Sequence, residues 1–137
     1  MKSLLLHCKN YHIKIGLLAN RPINVKPEVV TENTQSQTDC IVALVTVEKE
    51  DTVESTTPLA GEIKKFADEV GRKNIVILPF AHLSNNLASS EISIPILENI
   101  KTRLIGEFNV KRGHFGSHKE YLLDVYGHAG NTRFREY

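Results

Sequence analysis

Apolar positions follow two periods along this chain, and the changes of period mark its elements. Leu4, Leu5 and Leu6 open a strand, and Tyr11, Ile13 and Ile15 alternate with His12 and Lys14, the period of a strand with one wet face. Lys9-Asn10 between them reads as a hairpin, although no glycine marks it. From Gly16 to Thr38 the pattern dissolves into Asn, Pro, Thr and Gln, which reads as a long loop. Asp39 to Lys49 is the strongest strand: Ile41 to Val45 is nearly continuous, as expected where both faces are covered, while Thr46 and Glu48 alternate with Val47 at a half-exposed end.

The period then lengthens. After an acidic loop from Glu50 to Thr57, Leu59, Ile63, Phe66, Ala67 and Val70 fall on one helical stripe, with Lys64, Lys65, Asp68 and Glu69 opposite. Thr57 is the expected N-cap, Pro58 fits the first turn and Gly71 the stop. Asn74 to Leu78 is a short buried strand closed by Pro79, so strand, helix and strand give a βαβ-like unit. His82 to Ala88 reads as a short helical turn. A second helix starts at Ser93 and Pro95, buries Ile96, Leu97, Ile100, Leu104 and Ile105, and ends at Gly106. Phe108 to Lys111 and Lys119 to Tyr126 are two further strands, Gly127 to Asn131 a turn, and Thr132 to Tyr137 a charged tail.

Composition adds bounds. A chain of 137 residues with 41% hydrophobic and 24% charged residues supports one domain with a real core. No run approaches the roughly 18 apolar residues of a membrane span, and the apolar opening is too short for a signal peptide. Cys8 and Cys40 form no CxxC, which fits core residues in a reducing cytosol. The net charge of +1 is uneven: residues 1–27 hold bases and no acid, residues 28–62 are acidic, and residues 101–137 lean basic. Two basic ends on one face would suit a polyanion; a solvated mixed surface is the other reading.

Chemistry concentrates in two stretches. Asn74 to Ser84 (NIVILPFAHLS) puts His82 just past the carboxyl end of a strand, a common ligand position in α/β proteins, although Pro79 also suits a mere strand break before a surface loop. Gly113 to His118 places two glycines within four residues, where backbone can approach a ligand, and Lys119 follows. An enclosed lysine stabilises an oxyanion or, with a lowered pKa, acts as a base; a solvated strand lysine does neither. His114 and His118 have helical i, i+4 spacing, but Gly113 and Gly116 argue against a helix and no HExxH glutamate is present, so no metal is expected. Ser84 lacks a G-x-S-x-G context.

Three segments together carry a resemblance: Val47-Glu48-Lys49 after one strand, Pro79-Phe80-Ala81-His82-Leu83-Ser84 after another, and Phe115-Gly116-x-x-Lys119 before a third. They resemble the N-terminal editing domain of archaeal threonyl-tRNA synthetase, and the opening Leu4-Leu5-Leu6-His7 and the Gly127-His128 turn also match. The resemblance implies an α/β fold like that of D-aminoacyl-tRNA deacylase, a mixed β-sheet layer with two main helices. Residues 1–130 would form the domain and 131–137 a tail or the start of a linker. The implied activity is hydrolysis of serine wrongly esterified to threonine tRNA, in the cytoplasm, without cofactor. The implied partners are the 3′ end of that tRNA, a second copy of the chain, and a separate or fused synthetase catalytic domain. His82 and Lys119 would be the working groups, with Val47, Pro79, Phe80, Ala81, Phe115, Gly116 and His118 around the substrate. His118 stands where the pattern has tyrosine, and an expected glutamate falls at Thr132. A D-aminoacyl-tRNA deacylase and a non-catalytic tRNA-binding or dimerisation module are the rival readings.

Overall fold

In the computed structural model, which describes residues 1–137, the first two apolar runs are one strand. β1 spans Lys2–Leu18 without a turn. Lys9 and Asn10, expected as a hairpin, instead form a bulge. Against β5 (Ser117–Val125), Cys8 faces Val125 and Asn10 faces Asp124, so β1 carries one surplus residue there, and a second lies between Ile15, opposite Lys119, and Leu18, opposite Ser117. A surplus residue bends a strand where a hairpin would reverse it, and a tight reversal would have needed positive φ at residues that are not glycine.

The long loop expected over residues 16–38 is corrected at both ends. β1 continues to Leu18, and β2 spans Thr34–Thr46. The polar start of β2 pairs with the second half of β1, Thr34 opposite Lys14 and Thr38 opposite Asn10. Backbone ladder bonds hold this part, so hydropathy carries no trace of it.

A 3₁₀ turn (Val53–Ser55) leads into α1 (Thr56–Val70), whose N-cap is Ser55 rather than Thr57; Gly71 closes it in the left-handed conformation at φ 65°. β3 spans Asn74–Pro79. α2 spans Ser90–Leu104, starting a turn before the expected Ser93. Ile105 is its C-cap and is half exposed instead of buried. β4 spans Asn109–Arg112. Residues 132–136, expected as a charged tail, form β6 (Thr132–Glu136), paired with β1 from Leu6 back to Lys2.

The strands form one mixed sheet in the order β4-β3-β2-β1-β5, with β6 also on β1. β2, β3 and β4 run parallel, and β1 is antiparallel to its neighbours. Both helices bury Leu59, Ile63, Phe66, Leu97 and Ile100 against Ile41, Ala43, Val45, Ile75 and Ile77. The other face buries Val42, Leu44, Val76 and Leu78 with Tyr11 and Ile13, and Leu123 and Val125 of β5 pack onto it. β5 packs onto this face although β2 and β1 lie between it and β3 in the sheet, so the sheet must curl, and the β1 bulge supplies the bend. Cys8 and Cys40 are register partners in the buried face, both free thiols, and burial pushes them up to about 11 and about 12.

The basic C-terminal end is not a free patch. Arg133 pairs with Glu69 at 2.6 Å and Arg135 with Glu62 at 2.5 Å, tying β6 to α1. No helix is long and apolar enough to cross a membrane. A chain ended at residue 130 loses these pairs and the β6 ladder. It is expected to be less stable by roughly 2–4 kcal/mol in urea unfolding, at about 1 kcal/mol per backbone hydrogen bond.

Candidate functional site

The carboxyl ends of β2 and β3 lie side by side, and the loop after Pro79 is laced to the segment after β2. Phe80 donates its N–H to the Val45 carbonyl at 2.9 Å, and the Thr46 hydroxyl donates to the Phe80 carbonyl and accepts from Leu83 N–H. Farther out, Lys49 N–H reaches Asn86 O at 3.2 Å and Ala88 N–H reaches Val47 O at 3.1 Å. The Ser84 hydroxyl donates to Glu48 at 2.5 Å, and this bond together with the Met1 ammonium holds the Glu48 carboxyl below the usual carboxylate range. His82 to Ala88 is therefore not the expected helical turn. It is an irregular loop fixed by its neighbour strand, and Glu48 and Ser84 are its anchors.

The opposite wall comes from the curl. Gly113 N–H donates to Ile77 O at 2.8 Å, and a Cβ at Gly113 would lie 2.5 Å from the Leu78 side chain. Gly116 adopts φ 87°, and a Cβ there would lie 2.6 Å from Pro27 Cα. Gly116 is thus required by close approach to backbone and by its left-handed conformation, while a side chain at Gly113 would have to displace the buried Leu78 methyl. Residues 19–28 cross this loop as a strap, with Ala19 N–H on Gly116 O at 2.8 Å and Glu28 N–H on Phe115 O at 3.2 Å.

Between the walls is a cavity of about 320 Å³. His82 and Lys119 both line it, and so do Val47, Pro79, Phe80, Ala81, Phe115, Gly116 and His118, so the residues singled out in three distant stretches meet around one hollow. Phe80 stacks edge-on with His82 at 5.0 Å and with Tyr121 at 6.4 Å. Lys119 donates to Ser117 O at 3.2 Å, and burial lowers its ammonium to about 8, against a smaller opposing pull from Glu28. No aspartate or glutamate lines the cavity; its ionisable wall groups besides Tyr121 are Arg21, His82, His118 and Lys119. A space of this kind suits a small polar group whose reaction develops negative charge.

Other marked residues lie elsewhere. Thr132 is exposed on β6 opposite Leu6, outside the cavity wall. His114 uses both ring nitrogens, on the Ser117 hydroxyl and the Glu28 carbonyl, each at 2.8 Å. His7 and His128 meet at 2.7 Å at the other end of β1, joined by Arg72. A wider, open groove of about 860 Å³ runs along β1, β2 and β5, but its polar groups already pair: His12 with Ser36, Asn10 with Asp124, Lys111 with the Ser36 carbonyl. Thr46, Tyr121 and the strap residues Ala19, Arg21, Pro22 and Val25 are cavity residues that sequence reasoning missed. The strap has no periodicity to read, and its only trace is a proline that must lie against a glycine.

A family model described as the archaea-specific editing domain of threonyl-tRNA synthetase matches residues 1–136. The chain belongs to this family. Among curated relatives, the threonine–tRNA ligase of Staphylothermus marinus is 30% identical over 131 residues and that of Thermococcus onnurineus 33% over 139, each covering 93% of this chain. The Methanocaldococcus jannaschii ligase is 32% identical over 133 residues, with the same 93% of this chain and 20% of the relative. The editing domain spans about a fifth of the length of the curated relatives it matches. A solved structure titled "c-Myc DNA Unwinding Element Binding Protein" superposes with a TM-score of 0.62 at 16% identity, covering 100% of this chain and 99% of that one. The architecture is thus the D-aminoacyl-tRNA deacylase-like α/β fold, as the resemblance implied.

The buried ammonium has a measurable cost. Its pKa is depressed on folding, so the penalty is fully present below about 8 and is relieved as pH rises from there toward the unfolded value of 10.5. Lys119→Met is expected to stabilise the domain at pH 7 by about 1–2 kcal/mol, allowing for water at the cavity mouth. In urea unfolding that gain should shrink between pH 8 and 10.

Proposed function

We propose that this editing domain hydrolyses the ester of serine wrongly attached to threonine tRNA and leaves the threonyl ester intact. The observation that carries the reading is the convergence of His82 and Lys119, from separate loops, on one small cavity without a carboxylate. Serine and threonine differ by one methyl, and binding alone separates such pairs by only about 10–200-fold, so a second site that destroys the wrong ester is physically required. Val47, Pro79 and Leu97 give that cavity an apolar wall, and in this reading the extra methyl of threonine is rejected by displacing the attacking water.

In this reading water attacks the ester carbonyl carbon, and the Lys119 ammonium stabilises the tetrahedral oxyanion. The bond to the ribose oxygen then breaks, and the proton lost by water passes to that departing oxygen, with the neighbouring ribose hydroxyl assisting. His82 orients the serine hydroxyl or amine, and the Phe80–Ala81 backbone holds the amino acid. Arg21 stands at the cavity without an ion pair, a suitable contact for a phosphate of the tRNA 3′ end. A homodimer, a cytoplasmic location and a separate or fused catalytic domain belong to the same reading.

Deacylation of L-seryl-, L-threonyl- and D-seryl-tRNA side by side tests it. Only the first should be hydrolysed; preference for the D-ester would establish the deacylase alternative, and tight tRNA binding without hydrolysis the non-catalytic one. Lys119→Met should reduce L-seryl hydrolysis by about 100-fold or more. The enzymatic rate, corrected for spontaneous hydrolysis, should fall as pH rises through about 8, where Lys119 loses its proton; a rise there would make Lys119 the base. Arg21→Ala should weaken seryl-tRNA binding and flatten its salt dependence by about one ion, while leaving hydrolysis of a phosphate-free seryl-adenosine unchanged.

A further inference from the structure

Glu28 lies outside the cavity wall, yet it is the most heavily engaged acid near Lys119. One carboxylate oxygen accepts from Phe115 N–H at 2.8 Å and from Arg112 at 2.7 Å, and the other accepts from Arg112 at 2.8 Å. Its main chain adds two bonds to the same loop, its carbonyl taking His114 at 2.8 Å and its N–H reaching Phe115 O at 3.2 Å. Arg112 is further fixed by Glu98 on α2 and by the Gly113 carbonyl at 3.0 Å. The adjacent Pro27 lies where a Cβ of Gly116 would go. Burial works against the Glu28 carboxylate, but the Arg112 and Phe115 hydrogen bonds outweigh it and hold its pKa below the usual range.

We propose that Glu28 is the positioning residue of this site: its carboxylate fixes the Phe115–Gly116 turn, and through it the start of β5, so that the Lys119 side chain is held in the cavity. This rests on the hydrolytic reading, in which Lys119 is the working cation. A lysine that loses hydration on burial gains by swinging out to water; here its ammonium is tethered to the Ser117 carbonyl at 3.2 Å, the residue next to the turn that Glu28 holds. Both oxygens of Glu28 are occupied, so it acts through the loop and not on substrate. The charged or titratable groups that face Lys119 are Glu28, whose field reaches it, and on the cavity wall Arg21 of the strap, His82 after β3, and His118 and Tyr121 on β5 itself; Arg112 and His114 stand behind, against Glu28.

Removing the Glu28 charge alone would lower the Lys119 pKa further, whereas releasing the loop would raise it by rehydration, so the two effects differ in sign. The test is an NMR titration of ¹³Cε-labelled lysines in the substrate-free chain, with Lys119→Arg assigning the signal, beside kcat and KM for L-seryl-tRNA. In Glu28→Ala the Lys119 midpoint is expected to move up from about 8 toward 10.5, with kcat down about 100-fold and KM within about twofold. Glu28→Asp, which keeps the charge but is too short to hold Arg112 and Phe115 N–H together, covers the case in which the alanine variant does not fold, with an upward shift of its own and a smaller loss. Glu98→Gln, which removes only the other partner of Arg112, should move the midpoint little. A midpoint that stays or falls in folded Glu28 variants, or an equal effect of Glu98→Gln, overturns the proposal. If the wild-type chain hydrolyses no ester, the hydrolytic reading fails while the titration still decides whether Glu28 holds Lys119 in place.

Discussion

The bend in β1 is the constraint on which the rest depends. A 17-residue strand would extend roughly 55 Å if straight, and this one is paired along both edges, with β2 on one side and β5 and β6 on the other. One surplus residue at Lys9-Asn10, opposite β5, lets the strand turn while its ladder with β2 stays in register. The turn carries β5 across the face of β3. Leu123 and Val125 thereby pack onto the buried face that holds Val76 and Leu78, and Lys119 shares one hollow with Phe80 and His82. Core and cavity are two consequences of the same curvature.

The cavity is electrostatically one-sided. Its wall holds Arg21, His82, His118 and Lys119 and no acid, while the acids close to it are already committed: Glu28 to Arg112 and Phe115, Glu48 to Ser84 and Met1. A lysine placed there bears a desolvation cost with little compensation from a partner, which is why its proton is held less tightly than in water. Elsewhere the fold pairs its bases with care, as with Arg133 and Glu69 or Arg135 and Glu62. Charges at the rim of the sheet are paired and hold the fold together, whereas the one in its hollow is left without a carboxylate partner on the wall.

What the sequence disclosed follows from where the physics is local. Ile41 to Val45 and the stripe from Leu59 to Val70 show their burial as periodicity, and Gly71 shows a helix end as composition. The polar half of β2, from Thr34 to Thr38, is a strand only because β1 lies beside it, and β6 is a strand for the same reason; nothing in their own residues announces that. Lys9-Asn10 reads as a reversal in sequence, and pairing with a strand more than a hundred residues away makes it a bulge instead. His82 and Lys119 were legible as chemistry through the motifs around them, but their meeting was not, since it depends on the curl. Glu28 and Arg21 left no readable sign, because a strap without period reveals itself only through what it crosses.

The position where the family pattern has glutamate sharpens what the cavity can do. Thr132 is exposed on β6 across from Leu6, so neither its hydroxyl nor a near neighbour on that strand enters the wall. Glu28 is the acid whose field reaches Lys119, and both its oxygens are held by Arg112 and the Phe115 N–H. On the hydrolytic reading, no side-chain carboxylate is then placed to take the proton from the attacking water. That proton must move through the substrate's own hydroxyls and bound water, with Lys119 supplying charge and the two loops supplying alignment. Such a mechanism puts few demands on the identity of residue 132 and many on the rigidity of residues 112–119, and that is where the structure concentrates its hydrogen bonds: on Arg112, Gly113, His114, Phe115 and Gly116.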